Sequence, residues 1–261
     1  MNGNLNGKRA LVAGSTQGIG LAIAKELSAM GASCTLLARN AESLKTALSE
    51  LAIHPGSRHE FLVADFNQPD VLRDIIQDYM KNNHVQILIN NSGGPPSGPI
   101  TEAGEDAFLQ AFRQHLICNQ ILAQAVLPSM IKTGYGRIIN IISTSVRIPL
   151  KNLGVSNTIR GAVASWAKTL SNEVAAHQIT VNNILPGATL TGRLSTILRN
   201  TAEKTGKSLE EAEQHYLSEI PMQRFAKPEE IAAVAGFLAS PAASYVTGVS
   251  IPVDGGRTGS I

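Results

Sequence analysis

The sequence has little of what marks secreted or metal-binding proteins. Its 261 residues include only two cysteines, Cys34 and Cys118, which lie far apart, each within an apolar stretch. Thiols in such surroundings are usually free and buried. Neither they nor the six histidines show the short spacings of metal ligands. We therefore predict no disulfide and no metal site.

Long apolar runs and strong charge are missing as well. No run approaches the ~20 apolar residues that span a bilayer, and the opening segment, MNGNLNGKR, has no signal-peptide core. The net charge is +2, and the basic residues are scattered, whereas nucleic-acid binding needs a basic stripe. We expect a cytoplasmic protein whose partners include neither membrane nor nucleic acid.

What is present is a steady alternation of short apolar runs with longer amphipathic ones. Continuous apolar runs are typical of strands buried on both faces, and their alternation with helices predicts a parallel sheet. The predicted strands are Arg9–Ala13, Cys34–Ala38, Glu60–Ala64, Gln86–Asn90, Arg137–Ile142, Thr180–Leu185 and Ser250–Val253. The predicted helices are Ile19–Met30, Ala41–Leu51, Val71–Lys81, Glu105–Ile131, Asn157–Ala176 and Pro228–Ala239.

The predicted fold class is α/β, a single Rossmann-type doubly wound sheet of about seven strands with helices on both faces. We expect one domain over residues 1–261. The more polar segment 192–223 interrupts the alternation and is interpreted as a substrate-side insertion of two short helices that folds over a site.

A glycine-rich turn lies between the first strand and the first helix. Glycine permits the tight turn and lets backbone approach a diphosphate, while the helix start presents free N–H groups and a positive dipole end. The sequence therefore predicts a dinucleotide site. The turn residues assigned to it are Gly14, Ser15, Gln17, Gly18, Ile19 and Gly20.

Three motifs resemble those of the short-chain dehydrogenase/reductase family. They are the glycine spacing G-x-x-x-G-x-G, the segment Asn90-Asn91-Ser92-Gly93 and the loop from Pro186-Gly187 to Thr191. The closing segment IPMQRFAKPEEIA…VDGG is also similar to that family, most of all to its 3-oxoacyl-acyl-carrier-protein reductase branch. Ala13 stands where the family usually has threonine. The resemblance implies that a nicotinamide dinucleotide is held by further residues, namely Asp65, Phe66, Asn91, Ser92, Gly93, Pro186, Gly187, Thr189 and Thr191.

The end of the second strand bears on which dinucleotide binds. An acidic residue at Ala38 would bond the ribose and repel a 2′-phosphate, but none is there, and Arg39 can bond that phosphate. We therefore predict NADP(H). The alternative is that Arg39 is a solvated loop arginine.

The catalytic region departs from the family pattern. Ser143 matches the family's serine, but Ser156 and Arg160 stand where the tyrosine and lysine are expected, and His115 stands at the asparagine. Arg160 can bond the cofactor ribose, but it does not exchange protons at working pH. His115 is predicted to titrate near neutrality and relay a proton. The alternative is a histidine on a helix face that is satisfied by a neighbour.

Two functions remain open at this stage. One is an NADP(H)-dependent oxidoreductase that interconverts a small-molecule ketone, with 3-oxoacyl thioesters among the options, and a secondary alcohol through an altered proton donor. The other is a catalytically impaired dinucleotide-binding pseudoenzyme that acts as a sensor or scaffold. The resemblance also implies a homotetramer, with Glu105–Ile131, Asn157–Ala176 and the strand near Val253 at its interfaces.

Overall fold

The computed structural model describes residues 4–260, and its strands form one parallel sheet in the order β3-β2-β1-β4-β5-β6-β7. The strands are β1 (Arg9–Ala13), β2 (Ser33–Ala38), β3 (Glu60–Val63), β4 (Ile87–Asn90), β5 (Gly136–Ile141), β6 (Ile179–Pro186) and β7 (Ser250–Val253). The predicted fold class is confirmed. The first and last strands have the predicted bounds, and the others differ by a residue at one or both ends.

The helices follow the predicted alternation. They are α1 (Gly18–Ala29), α2 (Ala41–Ser49), α3 (Pro69–Met80), α4 (Glu105–Phe112), α5 (Cys118–Thr133), α6 (Gly154–Val174), α7 (Gly192–Thr205), α8 (Leu209–Ser218) and α9 (Pro228–Ala239). The polar segment 192–223 carries two helices, as expected. In the part of the chain that the structure describes, no helix combines the length and apolarity needed to cross a membrane.

The long helix predicted over Glu105–Ile131 is wrong in one respect. A π-helical turn, Arg113–Ile117, separates α4 from α5, and the N–H of Cys118 bonds the carbonyl of Arg113, five residues back. The π turn therefore contains one residue more than a regular α-helical turn. Turns of this kind are frequent at functional sites, and this one carries His115.

Alternate residues of the strands pack into two separate cores. In β1, Ala10 and Val12 pack on the side of α1 and α9, whereas Leu11 and Ala13 pack on the side of α3 and α5, and all four are fully buried. Because both faces of each central strand are covered, the strand sequences are mostly apolar, and the polar residues within β5 and β6 are buried as well.

Both cysteines are buried and free, as predicted. Burial raises the pKa of each thiol to about 12. The two thiols therefore pack as small apolar side chains and are not reactive groups.

The strand order reverses next to β1, which pairs with β2 on one side and β4 on the other. At such a switch point the loops after the two neighbouring strands diverge and leave a crevice at the carboxyl ends of the strands, where ligands of open α/β sheets bind. The predicted dinucleotide turn, residues 14–20, begins directly after β1 at this crevice.

Candidate active site

The glycine positions of the turn after β1 leave little room for a Cβ. Gly14 and Gly18 have φ angles of +59° and +55°, which favour glycine. A Cβ on Gly20 would overlap the carbonyl oxygen of Gly14. The residue before α1, Gln17, makes no capping hydrogen bond with its side chain. The start of α1 is therefore a cradle of backbone N–H groups that fits a diphosphate.

Ser15 and Asn91, two of the residues predicted to bind the cofactor, make side-chain hydrogen bonds that hold the turn in place. The Ser15 hydroxyl accepts a hydrogen bond from the N–H of Leu37 at 3.1 Å and is fully buried. The Asn91 amide donates to the carbonyls of Ala13 and Gly14 at 3.2 and 3.1 Å. These hydrogen bonds connect the turn after β1 to β2 and to the segment after β4.

The adenine side of the crevice is formed by the ends of β2 and β3. Arg39 is exposed directly after β2 and precedes Asn40, which caps α2 by accepting from the N–H of Ser43 at 2.8 Å. Asp65 follows β3 and accepts from the backbone and side chain of Asn67, both at 2.9 Å. A cation beside a helix start suits a phosphate group.

His115 lies on the π turn and is only 1% exposed. Its Nδ1 shares a hydrogen bond of 2.7 Å with the Ser92 hydroxyl, while its Nε2 is buried without a partner. Burial, with the charges of Arg160 and Arg193, lowers its pKa to about 2. The prediction that His115 titrates near neutrality is therefore wrong. The imidazole is neutral and satisfied at Nδ1 by a neighbour, which agrees with the alternative interpretation.

Arg160 lies on α6 and is 7% exposed. Its Nη1 donates to the carbonyl of Ile141, the last residue of β5, at 2.9 Å, and its Nε has no partner. Burial, and secondarily the charge of Arg193, lowers its pKa to about 10, so the guanidinium remains charged at neutral pH. One N–H group of Arg160 is thus bonded to the backbone at the carboxyl end of β5. Fewer of its N–H groups remain to bond a cofactor ribose than the sequence suggested.

The two serines lie at the end of β5 and the start of α6. The Ser143 hydroxyl accepts from the N–H of Ser145 at 3.1 Å, which leaves its own proton free to donate. Ser156 is half-buried, one helical turn before Arg160 on the same side of α6. Among residues 4–260 no direct hydrogen bond joins Ser156 to His115, whose Nδ1 bonds the Ser92 hydroxyl instead.

The sequence reasoning missed Arg193. It lies in the first turn of α7, and its Nη2 donates to the carbonyl of Pro95 at 2.7 Å and packs against Gly94. The isolated bridge between Gly98 and Leu153 fixes the same loop to the start of α6. The loop 94–99 is therefore held between α6 and α7 next to the site. The sequence did hold one signal: Arg193 is a basic residue at the start of segment 192–223, which was predicted to fold over a site.

A row of buried amides was also missed. Asn90 donates to Asn140, and Asn140 donates to Asn183, both at 2.9 Å; Asn183 donates to the Ser250 hydroxyl at 3.0 Å. The four residues are register partners on β4 to β7. Asparagine within the apolar runs ILIN, GRIINI and ITVNNILP was the available signal. The row fixes these strand ends, from which the loops of the site begin.

Comparison with known proteins agrees with this geometry. A family model described as "Enoyl-(Acyl carrier protein) reductase" matches residues 13–258. The chain belongs to the short-chain dehydrogenase/reductase family. The "NADPH-dependent reductase BacG" of Bacillus subtilis is 32% identical over 256 residues, which cover 97% of this chain and 99% of that protein. The "3-oxoacyl-[acyl-carrier-protein] reductase FabG" of Haemophilus influenzae is 33% identical over 256 residues, with 97% and 98% covered.

Solved structures of this family have the same fold. An L-sorbose reductase from Gluconobacter frateurii, complexed with NADPH and L-sorbose, superposes with a TM-score of 0.93 and 31% identity, and each chain is covered completely. YwfH, an NADPH-dependent reductase involved in bacilysin biosynthesis, superposes with a TM-score of 0.90 and 30% identity over 97% of this chain and 99% of that one. The resemblance inferred from the motifs is thus confirmed.

Proposed function

We propose that this family member is an NADP(H)-dependent oxidoreductase that interconverts a ketone and a secondary alcohol. The observation that carries the proposal is the glycine turn at residues 14–20, where the glycines are closely packed and no side chain caps the N–H groups at the start of α1; the Ser143 hydroxyl follows the end of β5 in the same sheet. The cradle holds a diphosphate, and Ser143 provides a hydrogen-bond donor for a carbonyl oxygen. A bound nicotinamide supplies hydride exchange with the carbonyl carbon.

The preference for the phosphorylated dinucleotide rests on Arg39. Its guanidinium is exposed beside the start of α2, and the preceding Ala38 contributes no carboxylate. A 2′-phosphate would gain a charge-assisted contact there. Relatives whose names state NADPH dependence support the same preference.

Proton delivery differs from the family pattern. Neither His115, with a pKa of about 2, nor Arg160, with a pKa of about 10, exchanges protons readily at neutral pH. A serine hydroxyl is a far weaker acid than a phenol of pKa ~10. The proton for the alcohol oxygen therefore comes from water beside Ser156, while Ser143 polarises the carbonyl.

The proposal is tested by NADPH consumption against small ketones, oxo acids and 3-oxoacyl thioesters. We expect slow turnover of simple ketones, because a positioned general acid contributes ~10²–10⁴-fold and Ser156 and Arg160 replace the tyrosine and lysine of the family pattern. The double variant Ser156→Tyr with Arg160→Lys should gain more than the two single variants together, since phenol and ammonium act as a unit. Thr158→Tyr with Arg160→Lys places the phenol at an exposed position of the same helix and is the control.

The outcomes separate the two functions. Fast wild-type turnover that the double variant slows would mean that the site has an efficient donor of its own. If NADPH binds tightly but no variant consumes it with any substrate, the chain is an impaired dinucleotide-binding pseudoenzyme. The observation that favours this second function is that the buried His115 and Arg160 do not titrate near neutral pH.

We also infer a homotetramer. Exposed apolar side chains lie on α4 and α5, in one of the two helical segments predicted to meet symmetry mates; they include Leu109, Phe112 and Ile131, and Tyr245 is fully exposed before β7. Burying such side chains between two-fold related copies would remove apolar surface from water. Light scattering at micromolar concentration tests this, and a monomer would contradict it.

A further inference from the structure

The active-site end of the crevice has positive charge without a matching negative charge. In residues 4–260 no ion pair includes Arg160 or Arg193, although other arginines of the chain do pair with carboxylates. Arg160 is nine-tenths buried, and buried guanidinium groups are normally paired. An anion from outside the protein would therefore stabilise this arrangement.

The two arginines keep hydrogen-bonding capacity for such an anion. Each side chain donates one hydrogen bond to a backbone carbonyl: Arg160 to Ile141 at 2.9 Å, and Arg193 to Pro95 at 2.7 Å. A guanidinium has five N–H donors, so several remain on each side chain. The Nε of Arg160 and the Nε2 of His115 are buried and have no hydrogen-bond partner among the described residues. The charge of Arg193 lowers the pKa of both of these residues, which agrees with their closeness.

The cofactor diphosphate already has a separate place. Its cradle follows β1, whereas Arg160 bonds the end of β5, two strands away in the sheet. With strands ~4.8 Å apart, that is roughly 10 Å. Thr191, the residue before α7, lies against Gly18 of the cradle, while Arg193 in the first turn of α7 lies against the loop after β4. Arg193 therefore faces the part of the crevice beyond the phosphates.

We propose that Arg193, supported by the buried charge of Arg160, binds a carboxylate of the substrate, so that the ketone reduced here is an oxo acid. The inference rests on the proposed function and specifies its substrate class. A carboxylate accepts two parallel N–H bonds from one guanidinium, which would orient the acid end of the substrate while its carbonyl points toward Ser143.

The test measures binding, not turnover. The complex with NADPH is titrated calorimetrically with 2-, 3- and 4-hydroxy acids of up to eight carbons and with their neutral methyl esters; neither type can take hydride from NADPH. At least one acid should bind roughly tenfold to a hundredfold more tightly than its ester, the range expected of a hydrogen bond to a charged group. Arg193→Gln should abolish this difference, and Arg193→Lys should retain part of it.

Arg199→Gln is the matched control, because Arg199 is another exposed arginine on α7. This variant should keep the full preference for acids. The proposal is overturned if no acid binds more tightly than its ester, or if Arg193→Gln leaves the preference intact. It is likewise overturned if Arg193→Gln weakens NADPH tenfold without affecting the acids, since Arg193 then binds the cofactor. Failure of wild type to bind NADPH would instead overturn the proposed function itself.

Discussion

Replacing His115 with asparagine should make the protein less sensitive to acid. The folded protein keeps this imidazole neutral down to a pKa of about 2, because it is buried and lies near two arginines. In the unfolded chain the imidazole regains its ordinary pKa of ~6.5. Below that pH the unfolded state binds a proton that the folded state does not, so the free energy of unfolding falls as the pH falls.

The size of the effect follows from the two pKa values. Between pH 7.5 and 4.5 the loss is about 2.7 kcal/mol, since each unit below 6.5 costs ~1.36 kcal/mol and the folded group does not yet titrate. A folded pKa one unit higher would change this figure little. For a chain of this size the loss corresponds to a decrease in Tm of roughly 5–10 °C.

The assay is thermal or urea unfolding of wild type and His115→Asn at several pH values over this range. Wild type should lose about 2.7 kcal/mol more than the variant on acidification. His177→Asn, which removes an exposed histidine, is the control and should keep the wild-type slope. Equal slopes for wild type and His115→Asn would refute the reasoning, because they would mean that His115 binds its proton equally in both states.

Three further changes test other parts of the structure. Arg39→Ala should weaken NADPH roughly tenfold or more and leave NADH unchanged in fluorescence titrations, because only the 2′-phosphate loses a charged contact; equal losses would contradict the assignment. Gly20→Ala should abolish NADPH binding, since its Cβ would overlap the carbonyl of Gly14, whereas Gly161→Ala, with open space around it, should bind normally. Asn140→Ala should lower the free energy of urea unfolding by roughly 2–6 kcal/mol, because the two flanking asparagines lose buried partners; a loss below ~1 kcal/mol would mean that water replaces the amide.

The fold was predictable because its determinants are local and repeated. Every central strand must be apolar on both faces, and glycine is required where the backbone of the turn approaches itself, as at Gly20. The π turn at residues 113–117 was not predictable, since the apolar spacing of the sequence does not distinguish one long helix from two helices joined by an extra residue.

The sequence motifs identify candidate positions for the site, but they say less about the chemistry of those residues. The motifs select Ser143, His115 and Arg160 as candidates, but the pKa of His115 depends on burial and on the charges of Arg160 and of Arg193, which is remote in sequence. The partner of Arg160, the carbonyl of Ile141, is a backbone group that no sequence pattern reveals. The pKa of His115 and the hydrogen bonding of Arg160 are therefore set by burial and by backbone contacts that form only in the folded chain.

The π turn fixes the length of its segment to the residue. Each helical residue rotates the chain by ~100°, so one added residue changes the phase between the two flanking helices by that angle. Ahead of the turn Ala111 packs against Val155 and Ile159 of α6, and after it Leu122 packs into the core beneath the sheet. Deleting any one residue from 113–117 would turn one of these faces away from its partner. Homologous sequences should therefore vary in composition here, as at the exposed Arg113, without gaining or losing a residue.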